Sequence, residues 1–216
     1  MAKPSASGLF ITIEGIEGAG KSTLAQRLDE WFTQRGHVCL RTREPGGVPT
    51  AERMRDLLLH EKLNLTPEAE LFIIETARVQ LMHELILPAL QRGQTVILDR
   101  HTDSTLAYQG HGRGLDLAHL KQINLFATRG RVPDWTLLLD LDAETGLSRA
   151  RRDQAKAENP DRFESEAVSF MERVRQGFLA LAKREPQRIS VFNALDDLET
   201  IWGNIQCEAE ERYELQ

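Results

Sequence analysis

The chain is expected to fold as an α/β protein, with a parallel sheet wound on both faces by helices. Three observations predict this. Short apolar runs of strand length recur along the chain, amphipathic stretches of helical period separate them, and the first such unit is joined by a glycine-rich turn.

The strands come first in that argument. Phe10-Ile-Thr-Ile13, His37-Val-Cys-Leu-Arg41, Thr95-Val-Ile-Leu98, Trp135 to Leu141 and Arg188-Ile-Ser-Val-Phe192 are short and rich in β-branched or large apolar residues, as strands buried on both faces must be. From Lys21 to Arg35, Leu24, Leu28, Trp31 and Phe32 keep helical spacing, and Gly36 supplies the stop. A longer helix is predicted from Pro67 to Leu90, with Leu71, Ile74, Leu81 and Leu85 on one stripe and a kink or end at Pro88. Further helices fit Leu115 to Thr128, Ala143 to Arg152, Glu164 to Lys183 and Leu195 to Ala209. No repeat or low-complexity linker divides the chain, so residues 1–216 are read as one domain.

Composition narrows the function. A formal net charge of -6 speaks against a nucleic-acid or membrane-surface protein held by bulk electrostatics, so an anion would have to be bound by local groups. Cys39 and Cys207 are far apart and show no metal spacing, and no run approaches the roughly 18 apolar residues of a membrane span. A cytoplasmic location with reduced thiols is expected. His83-Glu84 begins like a zinc-peptidase helix, but Leu87 stands where the second ligand belongs.

The chemistry starts at Glu14-Gly-Ile-Glu-Gly-Ala-Gly-Lys-Ser-Thr23. Gly15-x-x-x-x-Gly20-Lys21-Ser22 matches the phosphate-binding (Walker A) spacing, between a predicted strand and a predicted helix. In that setting the backbone from Gly15 through Ile16, Glu17, Gly18, Ala19 and Gly20 to Thr23 turns its N–H groups inward. Lys21 reaches the outer phosphates, and Ser22 ligates Mg²⁺. A glycine-rich turn without ligand is the plain alternative. The guanine-reading N-K-x-D is absent, and the length suits a small kinase better than a motor. Asp99, ending a central strand beside this loop, is placed to orient Lys21 or a metal-bound water, and Arg100 to bridge two phosphates. Arg78 interrupts an apolar stripe. Burying a guanidinium alone costs several kcal/mol, so a ligand or an internal carboxylate must meet it.

Five stretches together resemble the bacterial thymidylate kinase family: EGIEGAGKST, Thr42-Arg-Glu-Pro-Gly-Gly47, Ala77-Arg-Val-Gln80, Asp99 to Gly114 (DRHTDSTLAYQGHGRG), and Asp161-Arg-Phe-Glu164. The resemblance runs from about Leu9 to about Asp197. It implies a three-layer P-loop NTPase fold on a mainly five-stranded parallel sheet with a short lid at about 148–163, ATP and Mg²⁺ as donor and cofactor, dTMP as acceptor, and a homodimer. By the same resemblance Glu17 meets the acceptor's 3'-hydroxyl, and Arg55 and Arg100 hold its phosphate. Arg78 lies over the base and near the acceptor phosphate, Thr105 and Gln109 read the base edge, Ser104 is a further substrate contact, and Tyr108 fills the space of a ribose 2'-hydroxyl. Related enzymes usually carry Phe where Ile74 stands here. Eukaryotic relatives place an arginine at the position of Gly18, so the cationic help is assigned to the arginine-rich stretch, with Arg149, Arg151, Arg152 and Arg162, and within it to Arg152. The expected activity is transfer of the γ-phosphoryl of ATP to dTMP. A kinase of another nucleoside monophosphate, or a non-catalytic ATP-dependent switch, is the alternative.

Overall fold

The computed structural model describes residues 8–59, 63–154 and 167–213. Its centre is a five-stranded, all-parallel sheet of β1 (Phe10–Glu14), β2 (Cys39–Arg43), β3 (Thr95–Asp99), β4 (Trp135–Asp140) and β5 (Ile189–Asn193), in the spatial order β2-β3-β1-β4-β5. Every residue of β1 is buried, the polar Thr12 and Glu14 included, as befits the central strand of a sheet covered on both faces. Phe10, Val96 and Leu98 face one layer, made by α3 (Pro67–Leu81), α4 (Leu87–Gln91) and the segment between them through Leu81, Leu90, Met82 and Ile86. Ile11, Ile13 and Ile97 face the other, where α1 (Lys21–Gln34) and α9 (Leu198–Tyr213) bring Leu24, Leu28, Phe32, Trp202 and Ile205. The three-layer expectation therefore holds.

Order within the sheet sets the position of the site. The chain leaves β1 in one direction and returns through β3 on one side and β4 on the other, so the crevice at their carboxyl ends is the switch point of the fold. Register aligns Ile13 with Asp99 and Glu14 with Leu138. Asp99, Gly15 and the loop before α1 thus open on the same edge.

Several boundaries differ from the sequence expectation. Strand β2 begins at Cys39 rather than His37, because the His37 N–H still closes α1 on the Phe32 carbonyl and Val38 is exposed. Helix α6 (Leu117–Ala127) begins after Asp116, whose side chain accepts from the His119 N–H, and α9 begins after Asp197, which does the same for Thr200. The predicted helix Pro67 to Leu90 is α3 and α4 joined by a wide π turn at Met82–Ile86, where the Leu87 N–H reaches back to the Met82 carbonyl. Pro88 has no N–H to give and its ring would crowd the carbonyl four residues back; the wide turn makes room upstream of it.

The motif DRHTDSTLAYQG carries a helix that periodicity does not reveal: α5 (Thr102–Thr105), continued by a π segment over Leu106–Gly112. Tertiary packing holds it, since its Thr, Ser and Gly residues are poor helix formers. A side chain at Gly110 would meet Leu117 at 2.4 Å, and one at Gly112 would meet the Phe170 ring at 2.8 Å, on α8 (Val168–Arg184). The remaining helices are α2 (Pro49–Leu59) and α7 (Ala143–Gln154). Most of the expected lid, the motif Asp161 to Glu164 and Arg162 lie outside the described residues.

Candidate active site

The loop from Gly15 to Thr23 wraps the switch point. Gly20 takes φ +92 just before α1, and no side chain caps that helix, so its first N–H groups are open to a ligand. Gly18 takes φ +73, and a Cβ there would lie 2.3 Å from the Gly146 carbonyl and 2.9 Å from the Arg149 Cβ. Helix α7 thus rests directly on the loop, and an arginine at position 18 has no room. Lys21 is buried and donates from Nζ to the Ile16 carbonyl at 2.8 Å. Burial, with the Arg100 charge adding, pulls its ammonium down to about 8, against Asp99, Glu17 and Glu14.

Ser22 Oγ donates to Asp99 Oδ2 at 2.8 Å, so the two predicted metal-side residues do meet. Among the described residues no three His, Cys, Asp or Glu side chains converge on a metal site. Two oxygens suit an ion that keeps waters and is carried by nucleotide phosphates, which is the habit of Mg²⁺.

On the far side of the loop lies a cavity of about 290 Å³, lined from the loop side by Gly18, Lys21, Ser22 and Ala150 and from the other by Arg55, Ile74, Arg78, Thr105, Tyr108 and Gln109. Arg100 and Glu17 stand between the two. Arg100, at φ +69, donates from one nitrogen to Glu17 Oε1 at 2.8 Å and from the other to the Gly15 carbonyl at 3.1 Å, with its guanidinium 5.1 Å over the Tyr108 ring. Tyr108 donates to Glu17 Oε2 at 2.7 Å. Burial raises the Tyr108 hydroxyl well above its ordinary value, with Arg100 opposing and Glu17 adding, so it is a donor throughout the working range. Glu17 is therefore neither solvent-facing nor free: both its oxygens are engaged.

Arg78 is met by internal carboxylates. It donates to Glu44 Oε2 at 2.8 Å, to Glu75, to Thr105 Oγ1 at 2.9 Å, to Asn124 Oδ1 at 2.8 Å and to the His101 carbonyl at 3.2 Å. Burial alone would raise Glu44, but the charges of Arg78 and His101 outweigh it and hold the carboxyl below the usual range. His101 Nδ1 pairs with Glu44 Oε1 at 2.9 Å. Such a buried cluster persists because each charge has a counter-charge within hydrogen-bond reach. Two predicted substrate contacts are occupied by it or beside it: Thr105 also donates to Glu75 at 3.2 Å, and Ser104 Oγ donates to Glu14 Oε2 at 2.6 Å. Ile74 lines the cavity, whereas Phe72 is 59% exposed on another face of α3 and cannot take the place of the Phe expected at position 74. Arg55 is held by the Pro45 carbonyl at 3.0 Å, after a cis Glu44–Pro45 bond. Arg149 donates to the Ala194 carbonyl at 3.1 Å, while Arg152 is exposed and reaches Ser148 at 3.2 Å.

Glu14 is a residue that sequence reasoning missed, although it opens the quoted loop. Fully buried, it accepts from the His101 N–H at 2.7 Å, the Ser104 N–H at 3.3 Å and the Ser104 hydroxyl, pinning the turn that presents Arg100. Burial first, then the Asp103 charge, push it up to about 8, against Ser104, Arg100 and the His101 N–H. Its neighbour Asp103 takes a bidentate grip from Arg188 at 2.7 and 2.9 Å, tying α5 to β5. A carboxylate closing a strand that is otherwise uncharged was the available signal.

Comparison with known proteins decides the family. A family model described as thymidylate kinase matches residues 13–205. The chain belongs to the thymidylate kinase family. A thymidylate kinase of Deinococcus radiodurans is 48% identical over 202 residues, covering 92% of this chain and 96% of that protein. One of Syntrophotalea carbinolica is 48% identical over 199 residues, covering 91% and 92%. The crystal structure of thymidylate kinase from Ehrlichia chaffeensis superposes with a TM-score of 0.76 at 30% identity, covering 94% of this chain and 98% of that one. Membership extends to the fold: the same parallel sheet and flanking helices carry the thymidylate kinase motifs here.

Proposed function

We propose that this member of the family transfers the γ-phosphoryl of Mg-ATP in line to the 5'-phosphate of dTMP. One observation carries the reading: the phosphate loop and the cavity lined by Arg55, Arg78 and Gln109 open on each other through Arg100 and Glu17. A switch that binds one nucleotide has no use for a second set of anion and base contacts.

In this reading the bond from Pγ to the β-bridging oxygen breaks as an oxygen of the acceptor phosphate bonds to Pγ, giving ADP and dTDP. The acceptor is already an anion, so the chain contributes positioning and charge neutralisation rather than covalent chemistry. The loop amides and Lys21 hold the donor phosphates. Arg55 and Arg100 hold the acceptor phosphate, and Arg100 exchanges part of its contact with Glu17 for it. Glu17, fixed by Tyr108, receives the 3'-hydroxyl, and the Tyr108 ring, packed edge-on to Phe170 and Phe178, blocks a 2'-hydroxyl. Mg²⁺, held by Ser22 and Asp99 with the phosphates, supplies charge neutralisation at the transferring group. Arg149 and Arg152, on the helix that touches the loop, begin a lid of about residues 148–163 in a single-domain kinase.

Two wider features belong to the same reading. Phe72 and Val79 on α3 and Leu125 and Phe126 on α6 are exposed on two helices that pack together, Phe126 at 83%, and this face suits a homodimer. Among the described residues no helix is long and apolar enough to cross a membrane, and cytoplasmic work on small molecules fits that.

The test is coupled ADP release with dTMP, dUMP, UMP, CMP and AMP as acceptors. The fastest turnover is expected with dTMP. Equal or better turnover with UMP or CMP overturns the thymine assignment, and ADP release that ignores every acceptor favours the switch.

A further inference from the structure

Gln109 sits in the π segment, 1% exposed, at the base end of the cavity. Its side chain makes one hydrogen bond among the described residues, from Nε2 to Glu70 Oε1 at 2.9 Å. Glu70, 1% exposed on the first turn of α3, is also gripped by Arg113 through Nε at 3.2 Å and Nη2 at 3.1 Å. A carboxylate paired in this way only accepts hydrogen bonds, so the amide must turn its NH₂ toward it. Flipping the amide would set two acceptor oxygens against each other in a buried place: Glu70 would keep Arg113, but the Gln109 oxygen turned toward it would face an acceptor in place of a donor.

The amide is planar, so fixing Nε2 also fixes Oε1. That oxygen accepts from no described residue and belongs to a side chain lining the cavity. The nearby hydroxyls of Ser104 and Thr105 are engaged with Glu14 and Glu75, which leaves Gln109 as the polar group able to read a base edge there. What it shows is an acceptor beside the remaining N–H of Nε2. This pair is complementary to a ring N–H next to a carbonyl, as in thymine or uracil. The cytosine edge, with a bare ring nitrogen next to an amino group, meets it with like against like.

We infer that Glu70 is a positioning residue for specificity: held by Arg113, it locks the Gln109 amide in the orientation that accepts an imide N–H and rejects cytosine. The inference deepens the proposed function and rests on it. A site whose buried polar group is left unpaired by the wrong partner discriminates strongly, so wild-type enzyme is expected to prefer dTMP over 5-methyl-dCMP by roughly 100-fold or more in kcat/KM. Those two acceptors share methyl group and sugar and differ only in the edge.

The experiment measures kcat and KM for both acceptors in wild type, Glu70→Gln and Glu70→Asp, with thermal unfolding as a check on folding. Glutamine at 70 can face Gln109 with either end of its amide, so the lock is lost. Glu70→Gln is expected to raise KM for dTMP roughly tenfold, leave kcat within about twofold, and reduce the dTMP to 5-methyl-dCMP ratio by at least roughly tenfold. Should Glu70→Gln fail to fold, Glu70→Asp decides: it retains the charge for Arg113 but withdraws the acceptor from Gln109, and the same ratio is expected to fall. A folded variant that keeps the wild-type ratio overturns the inference while leaving the kinase reading intact. Wild type that ignores dTMP removes both.

Discussion

The donor side and the acceptor side of this site are built by opposite means. In the proposed function donor phosphates are met by one contiguous loop, residues 15–23, whose backbone amides and uncapped helix end need only glycines at the right places. The acceptor cavity gathers side chains from α2, α3, the turn after β3 and the π segment, and its charges are already paired among themselves. A backbone cradle binds any nucleotide's phosphates and says little about the base. A prepaired side-chain cavity is rigid before its ligand arrives, and removing one member leaves a buried charge behind. The two sides should therefore break differently, the first in rate and the second in stability.

The sharpest break is on the donor side. Lys21→Ala is expected to lower kcat by roughly 10³-fold, because a cation on the transferring phosphate is lost, while the melting temperature stays at or above that of wild type since a buried ammonium is removed. Steady-state ADP release and calorimetric melting check the pair. Next is Arg78→Ala on the acceptor side. It strands Glu44 and Glu75 and should cost about 3–5 kcal/mol of folding stability by urea unfolding, besides losing dTMP turnover. If Arg78→Ala unfolds no more readily than Lys21→Ala, the contrast fails. Tyr108→Phe is milder: Glu17 keeps Arg100 and loses one donor, so a loss of about 1 kcal/mol and a fall of roughly 2–4 °C in melting temperature are expected.

The smallest effect is a pH slope. Glu14 has a folded pKa raised to about 8 against 4.5 in the unfolded chain, so between those values the folded state holds a proton that the unfolded state releases. Its contribution is full below about 4.5 and is lost as pH rises through about 8. Glu14→Gln mimics the protonated form and should flatten the decline in urea midpoint from about pH 5.5 to 8.5; parallel declines in both proteins remove this role.

Legibility in the sequence follows the same division. The strand, glycine-rich loop and helix of the first unit could be read outright because the parts are adjacent and the helix is periodic. Arg78 was legible from cost, since a charge on an apolar stripe demands a partner, but its partners Glu44, Glu75 and Asn124 come from three elements and no spacing relates them. Glu14 was hidden in plain view at a strand end, its role visible only once the turn at His101 is folded onto it. The helix at Thr102–Gly112 escaped because glycines and hydroxyl residues carry no helical period, and packing against α6 and α8 imposes it. The wide turn before Pro88 shares the apolar stripe of an α-helix and differs only in hydrogen bonding.

The central claim is that two nucleotides meet head to head, one gripped by main chain and the other by arginines. Calorimetric titration with adenosine and thymidine joined by five phosphates tests it most directly. The account predicts one-to-one binding that is tighter than either ATP or dTMP alone and is displaced by each. Binding no tighter than ATP, and indifferent to added dTMP, would contradict it.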